Sequence, residues 1–302
     1  MTGLFSNFAV PADGLLQFGL TNFVIAGMLA GAAWLVQRTG RHPVLAHLLW
    51  LFVLLKLVTP PFVSLSLLSL PADPVPTATI ALPSAVAGAA GTAPLSTQVD
   101  WSALLATVWL LGSLLVLVWS LARVVRFSRL LDAASLPAPA AVQRLVADLS
   151  RRFGIAREPQ VQLTGANVSP MVWWTGGRVR VVVPEALAER LAPTELEFVL
   201  AHELGHVRRG DHFVRWLEWL VCIAFWWNPL AWWARRNLRI NEEVCCDALV
   251  LATFEPNKKF YANALVTALE VLANPAIRPP AMATAINGGG LMERRIRMIV
   301  SK

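Results

Sequence analysis

The stretch His202-Glu203-Leu204-Gly205-His206 decides how this chain of 302 residues folds around its site. Residues four apart on an α-helix lie on one face, so the two imidazoles can hold one metal ion between them. Zinc accepts such nitrogen ligands at about 2.0–2.1 Å. Glu203 follows the first histidine and is placed to act as general base for a water molecule at that metal. The pattern therefore predicts a catalytic zinc site on a helix.

The residues before this motif favour a largely buried helix. Pro193 suits a first helical turn, and Glu195 and Glu197 suit its positive end. The apolar residues 198–201 then lead directly into the motif. Gly205 is unfavourable inside a helix, which indicates that another backbone or a substrate passes close to it.

A catalytic zinc ion needs a third protein ligand and one position left for water. Glu243 lies 37 residues after His206, and Asp247 follows Glu243 by one helical turn, so both carboxylates share a helical face. We therefore predict that Glu243 binds the metal and that Asp247 accepts a hydrogen bond from a liganding histidine. Glu242 is the rival ligand, but Cys246 rather than an acid stands four residues after it.

The composition indicates a membrane protein. Apolar residues make up 56% of the chain, charged residues 15%, and the mean hydropathy is +0.55, more apolar than ordinary soluble domains. The transmembrane region is predicted over residues 1–125, with spans at about 15–36, 44–70 and 102–122 and an external loop over 71–100. Arginines follow the first and third spans, so the positive-inside rule places residues 126–302 in the cytoplasm.

A fourth apolar stretch, residues 213–234, is predicted not to cross the bilayer. His206 precedes it and Glu243 follows it, and two ligands of one zinc ion cannot lie on opposite sides of a membrane. We predict a membrane-associated hairpin that turns near Asn228-Pro229 and carries Glu243 back to the site. The six tryptophans of this stretch suit a membrane interface.

The remaining cytoplasmic residues are predicted to form a small α+β unit. Residues 140–153 follow a helical pattern, 160–163 form a short strand, and 172–183 form a hairpin around Gly176-Gly177. Catalysis also needs a group that steadies the tetrahedral oxyanion. Three candidates for that role are left unranked: His212, Tyr261 and Asn263.

The chain resembles the BlaR/MecR-type membrane metallopeptidases, antibiotic-sensor signal transducers of bacteria that belong to the gluzincins. Six segments carry the resemblance: Leu55-Lys56-Leu57, Ser169-Pro170, Val183-Pro184-Glu185, His202 to Asp211, Trp227 to Leu230, and Glu243 to Asp247. It implies an α-helical multi-span protein of the bacterial inner (cytoplasmic) membrane with a cytoplasmic α+β gluzincin zinc-metalloprotease domain. Residues 178–183 are then the expected strand for pairing with an extended substrate.

The resemblance implies a zinc endopeptidase that cleaves a cytoplasmic regulator, such as a transcriptional repressor, and itself. The best-known family members carry a further span and a penicillin-binding sensor domain, which we do not expect in residues up to Lys302. A Ste24/HtpX-like quality-control protease and a non-enzymatic zinc-stabilised scaffold are the alternatives. The expected partners are a protein substrate and the lipid bilayer, without direct nucleic-acid binding, and a homodimer is left open.

Two interpretations of the C-terminal segment are also left open. Gly288-Gly289-Gly290 can form an extended arm, which makes Arg294-Arg295 a candidate self-cleavage site by resemblance. Alternatively, the segment is a basic amphipathic helix that lies on the inner leaflet with Ile296 and Ile299 turned inward.

Overall fold

The computed structural model describes residues 12–59 and 101–271, together with 280, 284–285, 295–296 and 298–299. The helices of this part are α1 (Ala12–Thr39), α2 (Pro43–Val58), α3 (Trp101–Ala134), α4 (Ala140–Arg152), α5 (Glu185–Arg190), α6 (Pro193–Arg209), α7 (Asp211–Ala224), α8 (Pro229–Phe254) and α9 (Lys258–Val271). The strands are β1 (Ser135–Pro137), β2 (Gln160–Thr164), β3 (Met171–Trp173), β4 (Arg180–Pro184) and β5 (Thr284–Ala285). The predicted external loop, 71–100, and the end of the predicted second span lie outside the described residues.

Two helices of the described part are long and apolar enough to cross a membrane, α1 over residues 19–39 and α3 over its whole length. None of the most apolar window of α3 is buried inside the molecule, so α3 is unlike the core helix of a soluble protein. α2 is a shorter apolar helix of 16 residues. The first and third predicted spans therefore correspond to long apolar helices.

A buried polar cluster ties the end of α1 to α8. Trp50 Nε1 donates a hydrogen bond of 2.6 Å to Gln37 Oε1, and Gln37 Nε2 donates one of 2.9 Å to Asn237 Oδ1. Asn241 Nδ2 donates to the same Gln37 oxygen at 2.8 Å. Since buried polar groups are stable only when they are paired, these bonds fix the register of α8 against α1 and α2.

α3 packs against the turn between α7 and α8 through a glycine. A Cβ atom added to Gly112 would lie 2.5 Å from the indole ring of Trp226, so the ring needs the space that glycine leaves. One turn earlier on α3, Trp109 Nε1 donates a hydrogen bond of 2.6 Å to the carbonyl oxygen of Ala224. The turn therefore lies against the middle of the third predicted span.

We expect Gly112→Ala to destabilise the fold by about 1–3 kcal/mol, because the new methyl group would overlap the Trp226 ring. Gly27→Ala is the matched control, since Gly27 also lies in an apolar helix and nothing lies within 4 Å of its Cβ position. The control should be neutral or slightly stabilising, because alanine favours a helix over glycine. Thermal unfolding in detergent micelles, followed by tryptophan fluorescence, measures both variants. Equal midpoints would contradict the packing of Trp226 on α3.

The strands form one sheet in the order β1-β2-β4-β3-β5. β2 and β4 are parallel, and the other neighbouring pairs are antiparallel. The hairpin predicted over 172–183 is confirmed as β3 and β4, and the helix predicted over 140–153 as α4. Side chains from the sheet, α4, α5, α6 and α9 bury the main core, so α6 is held rigidly beside the sheet.

The prediction that residues 178–183 pair with a substrate is wrong. β4 lies inside the sheet, where β2 occupies one of its edges and β3 the other. The better candidate is β3, which packs against α6 and whose outer edge is covered, among the described residues, only by the two-residue strand β5, so a substrate could pair there if β5 left that edge.

The described C-terminal residues pack inside the domain. Ile299 is fully buried in the main core, and Ile296 and Met298 are partly buried against it. This placement differs from the interpretation of the segment as an amphipathic helix on the membrane surface. The same apolar residues are turned inward, but they face the core of the protein.

Candidate metal centre

The ends of α6 shape the site. Glu195 Oε2 accepts a hydrogen bond of 3.0 Å from the Ala192 amide, which satisfies a group at the start of the helix. Gly210 ends the helix with φ +74°, in the left-handed region that glycine adopts without strain. α7 therefore begins at once, and its first residue, Asp211, is turned back towards α6.

Two histidines of α6 and one glutamate of α8 meet inside the protein. The ligand atoms of His202, His206 and Glu243 all lie within 4.8 Å of one another, and each residue is at most 3% exposed. Glu243 Oε2 lies 3.2 Å from His202 Nε2, and Glu243 Oε1 lies 3.6 Å from His206 Nε2. Two imidazole nitrogens and a carboxylate are the donor set of a catalytic zinc site.

Glu203 is buried beside these ligands, and only 1% of it is exposed. Neither of its carboxylate oxygens has a hydrogen-bond partner among the described residues. Burial raises the pKa of the Glu203 carboxyl above its ordinary value. A buried carboxylate without a partner is unfavourable, and a metal ion with its water would supply what is missing. The residues present therefore fit a zinc ion.

Asp247 fixes the ring of His202. His202 Nδ1 lies 3.0 Å from Asp247 Oδ1, and the Tyr261 hydroxyl donates a hydrogen bond of 2.8 Å to the same oxygen. Arg295 donates two further bonds of 2.8 Å to Asp247, through Nε and Nη2. Burial acts to raise the pKa of Asp247, but Arg295 and His202 outweigh it and hold the pKa well below its usual range. Tyr261, one of the three oxyanion candidates, thus donates its hydroxyl proton to Asp247.

Asp211 fixes the ring of His206, as Asp247 fixes the ring of His202. We did not predict this role from the sequence. His206 Nδ1 lies 2.8 Å from Asp211 Oδ2, and Arg209 Nε donates to that oxygen at 3.3 Å. Cys246 Sγ lies 3.5 Å from the same oxygen. The available signal was Gly210, because a left-handed residue there lets an acid fold back onto the preceding turn.

Glu242 points away from the ligands. Its Oε2 lies 2.5 Å from Nη2 of Arg215, a residue of α7. Arg215 is also 3.5 Å from Glu218, so Glu242 belongs to an ion-pair network between α7 and α8. The structure therefore brings Glu243, and not Glu242, to the two histidines.

Arg295 also reaches the ligands, a contact that no sequence pattern indicates. Its Nη1 lies 3.1 Å from Glu243 Oε2, and its Nη2 lies 3.3 Å from both ring nitrogens of His202. Burial acts to raise the pKa of Glu243, but Arg295 and His202 lower it to about 2. With neutral histidines, the charged side chains of the site carry a net charge of minus two: Glu203, Asp211, Glu243 and Asp247 against Arg209 and Arg295. A divalent cation would balance them.

We expect Asp211→Asn to weaken zinc binding about 10–100-fold, because a neutral amide makes His206 a less basic ligand and no longer fixes its tautomer. Asp148→Asn is the matched control, since Asp148 forms an exposed ion pair with Arg151. Titration of the zinc-loaded protein with a chromogenic chelator measures both dissociation constants. Equal constants for Asp211→Asn and the control would remove Asp211 from the metal centre.

Comparison with known proteins identifies related sequences. The family model described as BlaR1 peptidase M56 matches residues 20–299. The regulatory protein BlaR1 of Bacillus licheniformis is 31% identical over 78 residues, which are 26% of this chain and 13% of that protein. The methicillin resistance mecR1 protein of Staphylococcus aureus is 22% identical over 194 residues, or 64% of this chain and 32% of that protein. Protease HtpX of Ectopseudomonas mendocina is 41% identical over 68 residues, or 22% of this chain and 23% of that protein. The chain thus spans a third or less of the length of these relatives.

Proposed function

Because this chain belongs to the BlaR1 peptidase M56 family, we propose that it is a membrane-embedded zinc endopeptidase. One observation carries the proposal, namely that the unpartnered carboxylate of Glu203 is buried beside the His202, His206 and Glu243 cluster. These three side chains would hold zinc, which would acidify a water molecule and polarise the scissile carbonyl. A structural zinc site would not need a buried carboxylate without a partner, so Glu203 favours an enzyme over a scaffold.

Glu203 would take a proton from the attacking water and deliver it to the leaving amine. Its raised pKa suits this role, because a carboxyl group that titrates closer to neutrality can both accept and return the proton. Asp247 and Asp211 would hold the Nδ1 atoms, which leaves both Nε2 atoms turned towards Glu243, where the metal would bind.

We place α1, α2 and α3 in the inner membrane of a bacterium as a multi-pass protein, with α4 to α6 and α9 in the cytoplasm and α7 and α8 as a membrane-associated hairpin. The apolar lengths of α1 and α3 support this placement. Arg38 and Arg41 follow the apolar part of α1, and Arg123, Arg126 and Arg129 stand at the end of the apolar part of α3. Cytoplasmic flanks carry such an excess of arginine.

The substrate would bind as an extended strand on β3. In the structure β3 pairs antiparallel with β5, so that Met171 faces Ala285 and Val172 faces Thr284. The chain's own C-terminal segment thus takes the position in which a substrate strand would lie beside α6. With Arg295 at the ligands, this arrangement favours self-processing within residues 286–295, and Arg294-Arg295 is our proposed site. Cleavage there requires Arg295 to leave its ion pairs with Asp247 first.

We propose a cytoplasmic regulator, such as a transcriptional repressor, as the substrate in transmembrane signalling. A quality-control role is the second candidate, because the HtpX relative is 41% identical over 68 residues. Mass spectrometry of newly formed protein N-termini can distinguish them, in membranes and cytosol of cells that express the wild type or Glu203→Gln. Cleavage of one or a few cytoplasmic regulators only by the wild type would support signalling. Cleavage of many membrane proteins only by the wild type would support quality control, and identical N-termini in cells that express the wild type and Glu203→Gln would contradict both.

A further inference from the structure

We propose that α7 and α8 form a re-entrant hairpin whose turn lies near the middle of the bilayer, with lipid acyl chains as the partner of its outer face. We call residues 224–228 the hairpin turn. This inference rests on the proposed membrane placement of α1 and α3, and it places the turn much deeper than a surface-bound hairpin would lie.

The first argument is the depth of the turn along α3. Arg123 stands at the cytoplasmic end of the apolar part of α3, and Gly112 lies 11 residues before it. At 1.5 Å per residue these positions are about 16 Å apart, which is half of a hydrocarbon core of about 30 Å. The Trp226 ring packs on Gly112, and Trp109 binds the Ala224 carbonyl, so the turn lies at that depth.

The second argument comes from α1 and is independent of α3. Gln37 lies beside Arg38 at the cytoplasmic end of α1, and it is hydrogen-bonded to Asn237 of α8. α8 starts at Pro229, eight residues earlier, so its first turn lies about 12 Å further into the membrane. Apolar side chains of α1, α2 and the start of α8 share one buried cluster along this length. Both estimates place the turn about 12–16 Å from the cytoplasmic ends of the spans.

The third argument is that several polar groups of the hairpin turn have partners inside the hairpin. The Trp226 carbonyl accepts a hydrogen bond of 3.0 Å from Trp232 Nε1, and the Phe225 carbonyl accepts one of 2.9 Å from the Asn228 amide. Asn228 Oδ1 accepts from the Leu230 amide at 2.9 Å, although Asn228 itself is buried. Water would satisfy these groups on an exposed turn, whereas hydrocarbon requires internal partners.

The outer face of the hairpin is apolar around its turn, and the charged group around Glu218 is turned inward. The side chains exposed on it are large and apolar: Leu220 at 54%, Trp227 at 57%, Trp232 at 43% and Trp233 at 40%. Glu218 is 1% exposed and lies within 3.5 Å of Arg215, Arg235 and Arg239. Acyl chains fit such a surface, because they contact apolar side chains and leave the paired charges inside.

Site-directed spin labelling of the zinc-loaded protein in vesicles of phosphatidylglycerol and phosphatidylcholine tests the depth. A nitroxide on Trp227→Cys is compared with one on Leu111→Cys of α3, which is 61% exposed, and one on Arg236→Cys, which is exposed near the proposed surface. The native cysteines are all buried, so the wild type serves as the blank. We expect the Trp227 label to match the Leu111 label, with high accessibility to oxygen and low accessibility to a water-soluble nickel complex.

The outcomes separate this inference from the proposed function. A Trp227 label that nickel reaches as readily as the Arg236 label would overturn the re-entrant hairpin while Leu111 stays deep. A label shielded from both oxygen and nickel would replace lipid with a protein partner and also overturn the proposal. A Leu111 label in water would instead refute the membrane placement itself. If Trp227→Cys does not fold, a nitroxide on Leu220→Cys, on the same outer face, gives the same accessibility measurement.

Discussion

Glu203→Gln is expected to keep its zinc and to lose proteolysis by at least ~10²-fold, the usual size of a general-base effect. The ligands His202, His206 and Glu243 are untouched by the change, so metal binding should persist. The amide cannot take a proton from the attacking water, although its shape matches the carboxylate. The measurement is cleavage of an established substrate at equal zinc content.

Glu197→Gln is the matched control for this prediction, because Glu197 lies on the same helix and pairs with Arg152 near the surface. We expect the control to keep wild-type activity. Undiminished cleavage by Glu203→Gln would refute the proposed role of this residue. Loss of zinc from Glu203→Gln would show instead that the carboxylate shapes the site.

The double variant His202→Ala/His206→Ala is expected to lose its zinc, whereas the wild type retains one ion per chain. Removal of both imidazoles leaves Glu243 as the one remaining member of this cluster. A single carboxylate binds zinc too weakly to retain it during purification. Elemental analysis of the purified, monodisperse protein gives the stoichiometry. Near-stoichiometric zinc in the double variant would falsify the assignment.

Two neighbouring glutamates provide a sharper comparison within the same experiment. Glu243→Gln should lower the zinc content, because Glu243 lies against both histidines. Glu242→Gln should leave it unchanged, because Glu242 faces Arg215 instead. The reverse pattern would make Glu242 the ligand.

The sequence was most informative where spacing alone places side chains on one helical face. The pair His202 and His206, and the pair Glu243 and Asp247, each follow from a separation of one helical turn. Both pairs can lie at one metal ion only if the chain between them turns back to the site. α7 and α8 meet that requirement with a turn at Asn228. We therefore predicted the position of Glu243 without knowing any tertiary contact.

The remaining features depend on contacts between distant segments. Arg295 lies 48 residues beyond Asp247, and no periodic pattern connects the two. The order of the strands in a sheet likewise cannot be predicted from the sequence of any one strand. The sequence therefore favoured β4 as the substrate strand, although β4 lies inside the sheet. The contact of Asp211 with His206 depends on the left-handed φ angle of Gly210, and glycine permits that angle without requiring it.

α8 joins the hairpin turn to the metal centre as one unbroken helix of 26 residues. Glu243 lies 14 residues past Pro229, or about 21 Å along α8. If the turn is held in the bilayer, a tilt of about 5° would shift Glu243 by about 2 Å, as much as the length of a zinc–ligand bond. The geometry of the metal centre would then follow bilayer thickness, and lipids with shorter or longer acyl chains would act as effectors of the enzyme.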